Sequence, residues 1–380
     1  MLNKLTLTLV SVLAPLLFLQ TNCKDEPTPP VIEQPQDTTS HNFVVTRIDT
    51  LGFLFSFAHG VDIVNENNIW VAGMFTEKDT DGTILYKKNL AHWDGEQWTL
   101  MSIPMYGYNN TGPSPEELGA VKVFSDSLIF VVTKHDNSVA WWNGTKWTSN
   151  YVNDATVSPI FWARSLDEIY FVAREGRATY YNGQTFTKIN TGLTNPPLTD
   201  VWGDENAVYA VGYGSSPTEG SETVFLTGNK TDWRVVNRYD VNERETAPPF
   251  PNQYVGPMYS VFRANSRSKL WFLGGKYTWS QLYEVESLSP FRAKVFFDFP
   301  ATETFSPLTS RGTLDNDLYL PNSLNGMFYH YNGRSWFKYE PTVPDFYAYQ
   351  FFIKGNIWAA VGRLRNGVVS TALVVIGKHE

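Results

Sequence analysis

One short pattern of apolar positions recurs along most of this chain. Aliphatic and small residues flank a central aromatic, without the three-to-four-residue spacing of a helix. It reads Ile69-Trp70-Val71-Ala72-Gly73, Ile129-Phe130-Val131-Val132, Ile169-Tyr170-Phe171-Val172-Ala173 and Val208-Tyr209-Ala210-Val211-Gly212. It returns as Leu270-Trp271-Phe272-Leu273-Gly274, Leu318-Tyr319-Leu320 and Ile357-Trp358-Ala359-Ala360-Val361-Gly362, seven copies in all. A second pattern follows several copies: an aromatic, Asp or Asn, Gly, two residues and another aromatic. It appears as Trp93-Asp94-Gly95-Glu96-Gln97-Trp98, Trp142-Asn143-Gly144-Thr145-Lys146-Trp147, Tyr181-Asn182-Gly183-Gln184-Thr185-Phe186 and Tyr331-Asn332-Gly333-Arg334-Ser335-Trp336. A degraded copy leads to Trp233. Asn-Gly and Asp-Gly predict tight hairpins, because both central residues accept positive φ.

The central aromatics stand mostly about 40–60 residues apart, and such a period with several short strands per repeat predicts a β-propeller. Each repeat supplies an inner strand A, the aromatic-centred strand B, a strand C, the Gly hairpin and an outer strand D. Strand A is visible at Val121–Phe124, Ile160–Trp162, Thr199–Trp202 and Tyr259–Phe262. The last repeat reaches strand C at 368–376 and a turn at Gly377, with too little chain left for a strand D. The run Phe43-Val44-Val45-Thr46-Arg47-Ile48 is left over and resembles the D strands. The expected fold is therefore all-β: a seven-bladed propeller of four-stranded antiparallel blades over 42–380, about 48 residues per blade, closed by its N-terminal strand.

The preceding residues read as an address. Residues 5–19 are apolar with a Lys4 flank, too short and polar for a spanning helix but suited to a secretory h-region. Cys23 is the only cysteine of the chain, which excludes an intrachain disulfide. Its position just past the h-region resembles the lipid-attachment Cys of bacterial lipoproteins, although Gln20-Thr21-Asn22 are not the small residues usual before the cut. Lys24-Asp25-Glu26 resembles the acidic export tag of surface lipoproteins of Bacteroidota. The resemblance implies a signal peptide over 1–22, a lipidated Cys23 with a Pro- and acid-rich tether over 23–41, and a lipid-anchored, surface-exposed place on the outer membrane. A free buried thiol is the alternative. The repeats themselves resemble bacterial propeller repeats of the form aliphatic-Tyr-Ala-Val-Gly followed by Tyr-Asp-Gly-x-x-Trp. The hairpins also resemble the Asp-box of sialidases, but they lack its leading Ser and Asp spacing, so sialidase activity is not implied.

Loop lengths single out one face. The D-to-A and B-to-C connections of a propeller share a face, and the long segments 102–119, 237–257, 74–89, 213–222 and 275–281 all belong to it. Long loops carry function more often than short ones. These are rich in amphipathic aromatics, which give contact area at low entropy cost. Tyr106, Tyr108, Tyr213, Tyr254, Tyr277, Trp279 and Tyr347 are the candidate ligand-binding residues, for a glycan or a protein. Phe124, Trp162, Trp202 and Phe262 at the ends of strand A, and the hairpin residues Trp98, Trp147 and Trp336, recur too regularly for a ligand site and read as core.

Composition narrows the function further. The net charge of −8 disfavours nucleic acid. The six His show no metal-ligand spacing, no phosphate loop or nucleophile elbow appears, and 77–82 reads as a solvated turn. No cofactor, metal or catalytic residue is expected. Arg164 and Arg263 stand at equivalent places after strand A and are candidates to clamp a carboxylate. Asp200, Glu175 and Tyr254 are the candidate acid, base or nucleophile of a multi-blade site. The leading expectation is a non-catalytic surface recognition protein. An envelope glycan hydrolase or lyase and a structural scaffold subunit are the alternatives.

Overall fold

The computed structural model describes residues 40–107, 111–214, 222–240, 258–264, 268–276, 279–300, 308–341, 343–366 and 369–380. Strand β1 (Phe43–Leu51) comes first. The first blade is β2 (Phe57–Asn65), β3 (Asn68–Lys78), β4 (Ile84–Trp93) and β5 (Trp98–Met101). A small hairpin of β6 (Met105–Gly107) and β7 (Thr111–Ser114) precedes the second blade, β8 (Leu118–Ser125), β9 (Leu128–Thr133), β10 (Ser138–Trp142) and β11 (Trp147–Tyr151). The third is β12 (Phe161–Ser165), β13 (Glu168–Val172), β14 (Ala178–Tyr181) and β15 (Phe186–Ile189). The fourth is β16 (Leu198–Gly203), β17 (Val208–Tyr213), β18 (Glu222–Gly228) and β19 (Trp233–Asp240). The fifth is β20 (Met258–Phe262), β21 (Leu270–Lys276), β22 (Trp279–Leu288) and β23 (Phe291–Asp298). The sixth is β24 (Arg311–Leu314), β25 (Asp317–Pro321), β26 (Phe328–Tyr331) and β27 (Trp336–Tyr339), and the seventh contains β28 (Phe346–Lys354), β29 (Ile357–Asn366) and β30 (Val369–His379).

Each blade is a four-stranded antiparallel sheet in sequential order, and β1 supplies the outer strand of the seventh. It pairs with β30 from Phe43↔His379 to Leu51↔Ala372. The protein is a seven-bladed β-propeller closed by its N-terminal strand. Residues 1–39 are not among the described residues. The expected signal peptide, Cys23 and most of the tether therefore lie outside them.

Strand B reads as an almost continuous apolar run because both faces of its sheet are covered. Side chains alternate across a strand. Ile69 and Val71 pack into a cluster with blade 7, while Trp70 and Ala72 pack into one with blade 2. In β29, Ile357, Ala359 and Val361 face blade 1, and Trp358 and Ala360 face blade 6. Seven such clusters of buried residues fill the seven blade interfaces. Trp98, Trp147 and Trp336 pack against them from the hairpins, as core. Phe262 is fully buried in the same way, and Phe124 packs against the interface of blades 2 and 3. Trp162 and Trp202 pack on their interfaces and also line the central channel.

Three local expectations are corrected. The Asn-Gly and Asp-Gly hairpins are four-residue turns in which only Gly takes positive φ: 97° at Gly95, 89° at Gly144 and Gly183, and 86° at Gly333. The preceding side chain makes the turn. Asp94 Oδ1 accepts the Glu96 and Gln97 N–H groups at 2.8 Å each, and Asn143, Asn182 and Asn332 repeat this. Asn229 does the same without a following Gly, which explains the degraded fourth copy. The segments 74–89 and 275–281 are not long loops. Phe75 and Thr76 are fully buried beyond Gly73, so β3 and β4 run on and close through the turn 79–83. Strands β21 and β22 likewise run on to Lys276 and from Trp279. Gly377 is no turn either, because β30 continues to His379.

Candidate functional site at the channel mouth

Five of the seven inner strands are bulged near their starts. The ladder register skips His59, Gly119, Thr199, Tyr259 and Tyr349. A bulge bends the strand and re-aims one side chain. The residue before four of these bulges pairs with the last Gly of a strand B repeat: Ala58↔Gly73, Leu198↔Gly212, Met258↔Gly274 and Ala348↔Gly362. Backbone approaches too closely there for a side chain. A Cβ would stand 2.1 Å from the Phe57 carbonyl oxygen at Gly73, 2.3 Å from that of Pro197 at Gly212 and 1.9 Å from that of Tyr347 at Gly362. The terminal Gly of the repeat is therefore the sequence mark of a bulge. The bulged residues sit where strand A begins, at the end of the channel served by the D-to-A and B-to-C connections.

A polar cluster occupies the mouth across blades 7, 1 and 2. His59 Nε2 is hydrogen-bonded to Glu117 Oε1, and Lys134 Nζ donates to the same oxygen at 3.1 Å. His135 Nε2 lies 3.6 Å from Glu117 Oε2. The His59 ring is 5.1 Å from that of Tyr349, and the Arg363 guanidinium lies 5.8 Å from Tyr349 and 5.7 Å from Tyr347. Burial opposes ionisation of Glu117, but the His59 hydrogen bond and the charges of His59 and Lys134 outweigh it and hold the carboxyl at about 2. Burial pushes His59 below its ordinary value, against the pull of Glu117. At neutral pH the cluster is thus a carboxylate held by an ammonium and by the N–H of a neutral imidazole.

The connection from β1 to β2, on the same face, carries an apolar tip. Phe53, Leu54 and Phe55 are 37%, 36% and 41% exposed. The tip is fastened at both sides: the Phe53 N–H donates to Thr76 O at 2.9 Å and the Phe55 N–H to Ser370 O at 2.6 Å. Thr76 Oγ1 donates to Leu54 O at 2.8 Å. Phe55 takes a φ of 66°, a conformation costing a non-glycine residue about 1–2 kcal/mol. The tip is presented in one shape, ahead of any partner.

Of the residues predicted from the sequence, Tyr347 joins the mouth cluster through Arg363. Tyr213 stands elsewhere on the same face, edge-on to Tyr259 at 5.2 Å. Tyr106 lies on the β6–β7 hairpin, where its N–H donates to Ser138 Oγ at 3.2 Å. Tyr108, Tyr254 and Tyr277 lie outside the described residues, and Trp279 is placed only as the first residue of β22. Sequence reasoning missed His59, Glu117, Lys134 and the Phe53–Phe55 tip. The terminal Gly of strand B, as the mark of a bulge, is the sequence signal that locates His59 and Tyr349.

Of the candidate catalytic groups, Arg164, Arg263 and Asp200 join neighbouring blades, and Tyr254 lies outside the described residues. Arg164 donates to Glu168 and to the Asp204 carbonyl, and Arg263 lies 3.8 Å from the Asp204 carboxylate while donating to the Tyr209 hydroxyl at 3.1 Å. The two arginines thus converge on Asp204 of the protein itself. Asp200, fully buried and pushed up by that burial, accepts from Ser260 Oγ at 2.7 Å and the Val261 N–H at 3.0 Å, joining blade 4 to blade 5. Asp62 accepts the Val123 N–H at 2.7 Å and pairs with Lys122 at 3.0 Å, joining blade 1 to blade 2. Glu175 pairs with Arg177 at 3.0 Å beside a cavity of about 380 Å³ on blade 3. In the 77–82 segment, Asp79 and Asp81 close the turn by accepting backbone N–H groups. The channel itself holds a cavity of about 210 Å³ lined in part by Asp62, Lys122, Trp162, Trp202 and Arg311.

No family model matches the chain, and no curated protein matches it. Solved structures share its fold at low identity. YCF48 bound to D1 peptide is 12% identical, with 91% of this chain and 100% of that one covered and a TM-score of 0.59. A virginiamycin B lyase from Staphylococcus aureus is 10% identical over 89% of this chain and 100% of its own, with a TM-score of 0.58. The extracellular domain of a one-component system from B. thetaiotaomicron is 13% identical over 87% of this chain and 40% of its own, with a TM-score of 0.54. What the chain shares with these proteins is the propeller architecture.

Proposed function

We propose that this is a non-catalytic recognition protein, held on the outer surface of the cell by lipid on Cys23, which binds a polypeptide partner through its long-loop face. The observation that carries the reading is the fastened, exposed Phe53-Leu54-Phe55 tip. Two phenylalanines and a leucine offer no hydrogen bonds to sugar hydroxyls. They gain about 25 cal/mol per Å² when an apolar partner surface covers them, and pre-set aromatic anchors ringed by polar groups are the pattern of interface hot spots. The Glu117–Lys134 pair and Arg363 supply polar groups on the same face. YCF48, a propeller of the same fold, is known with a bound peptide, which favours a polypeptide over a glycan here. The described chain begins at Ser40, beside the end of β30, on the face opposite the mouth.

The test compares the unmodified protein with a Phe53→Ser/Phe55→Ser variant against a displayed peptide library and a glycan array. Peptides that bind the unmodified protein and lose about tenfold or more on the variant would support the reading. Glycan binding that survives the double substitution would replace it.

A further inference from the structure

The ring closes over a second polar cluster, on the short-turn face and away from the mouth. Asp317 begins β25, His330 lies in β26 and His379 ends β30. Their side chains are buried, at 0%, 0% and 3% exposure. One donor atom from each lies within 4.8 Å of the other two. His330 Nε2 is 2.8 Å from Asp317 Oδ1, and the Tyr319 hydroxyl is 3.3 Å from His379 Nδ1.

The atoms facing away from this centre are each held by a separate partner. His379 Nε2 donates to the Ser40 carbonyl at 3.0 Å, which leaves its Nδ1 lone pair directed inward. His330 Nδ1 is 2.9 Å from His41 Nδ1, and with the proton on that side its Nε2 lone pair faces Asp317. Thr313 Oγ1 donates to the second carboxylate oxygen of Asp317. Outer hydrogen bonds that fix imidazole tautomers and carboxylate orientation are the usual support of metal-binding side chains. In that tautomer a buried imidazole lone pair faces a buried carboxylate, and a bound cation would bridge the two.

We propose that Asp317, His330 and His379 form a binding site for a divalent transition metal of the zinc class, with the Tyr319 hydroxyl or a water completing four-coordination. Two imidazoles and one carboxylate suit such an ion rather than calcium or magnesium, which take oxygen sets. The ligands come from blade 6 and from the last strand of blade 7, and their supporting contacts come from Ser40 and His41 just before β1. The ion would therefore pin the seam where the two ends of the propeller meet. Without a metal, a proton on His330 Nε2 serves the same contact and the group is an ordinary buried hydrogen-bonded pair.

The experiment uses the full chain carrying Cys23→Ser, so that the thiol does not compete, stripped of metal by chelation. Zn²⁺ titration should show one tight equivalent by calorimetry and a higher thermal midpoint, because the ion binds the folded chain preferentially. His330→Gln and His379→Gln should each weaken binding by about 100-fold or more, while His135→Gln, on the opposite face, should leave it unchanged. Should the buried substitutions prevent folding, the nitrogen resonances of His330 and His379 in the Cys23→Ser chain should move on adding Zn²⁺, with those of His135 still. Absence of a tight equivalent, or movement confined to other histidines, would overturn the assignment.

Discussion

Glu117→Gln isolates the electrostatics of the mouth. It keeps the size of the side chain and removes the charge on which Lys134 and the His59 N–H converge. The carboxyl sits at about 2 in the folded chain, against 4.5 for an ordinary one. At about 1.4 kcal/mol per pH unit that gap corresponds to about 3 kcal/mol. Glu117 and Lys134 are 20% and 33% exposed, so solvent screening reduces the contribution to about 1–2 kcal/mol. The sign follows from a folded-state value below the unfolded one. The stabilisation is complete above 4.5 and drains away as pH falls towards 2. Urea unfolding of both proteins between about pH 7 and about pH 2 should show the variant less stable by about 1–2 kcal/mol at the upper end, with the difference closing below about pH 4.5. Carboxylates remote from the mouth titrate alike in the two proteins and cancel. Two parallel curves, or equal stability at neutral pH, would refute the pairing.

Three further outcomes follow from local geometry. Gly212→Ala drives a methyl to 2.3 Å from the Pro197 carbonyl and should cost about 2–4 kcal/mol by denaturant titration; Gly112→Ala, with nothing within 4 Å, should stay within about 0.5 kcal/mol. Asn143→Ala removes the acceptor of the Thr145 and Lys146 N–H groups and should cost about 1 kcal/mol, most of it regained in Asn143→Asp, whereas equal losses in both would show that the side-chain oxygen is not what makes the turn. Phe55→Gly relieves the φ of 66° and should leave stability within about 1 kcal/mol of the parent, while binding of any peptide selected on the parent falls at least about tenfold; unchanged binding would take the tip out of the interface.

The ring was legible because its signal is repeated and local. Strand B is apolar on both faces in every blade, so seven copies stand out without any knowledge of pairing. The unassigned run at Phe43 followed from counting strands. What was hidden depends on neighbouring blades. His59 and Glu117 are 58 residues apart, and no spacing rule along one chain joins them. Asp317 and His330 are 13 apart, but His379 reaches them only through closure of the ring, so a search for metal-ligand spacing passes over the group. Loop length misled at 74–89, where Gly73 looks like the end of a strand but is the partner of a bulge. It also drew attention away from Phe53–Phe55, whose connection is short, because counting Tyr and Trp in long segments overlooks a small loop of Phe.

The pairing of β1 with β30 also decides how the propeller carries load. The proposed anchor pulls at Ser40, at the short-turn end of β1, while a partner held on the long-loop face pulls the opposite way. Phe53–Phe55 follow β1 directly, so that force runs along the backbone of β1 itself, and the register from Phe43↔His379 to Leu51↔Ala372 does not have to bear it. Pulling Ser40 against Glu380 instead would peel the same ladder one pair at a time, since these two residues meet at one end. Force spectroscopy with a handle on the Phe53–Phe55 loop should therefore give a higher rupture force than a handle on the C-terminus, and equal forces would show that β1 is not the element that yields. A surface protein tethered by its first strand would in this way resist drag in the one direction from which a bound partner can apply it.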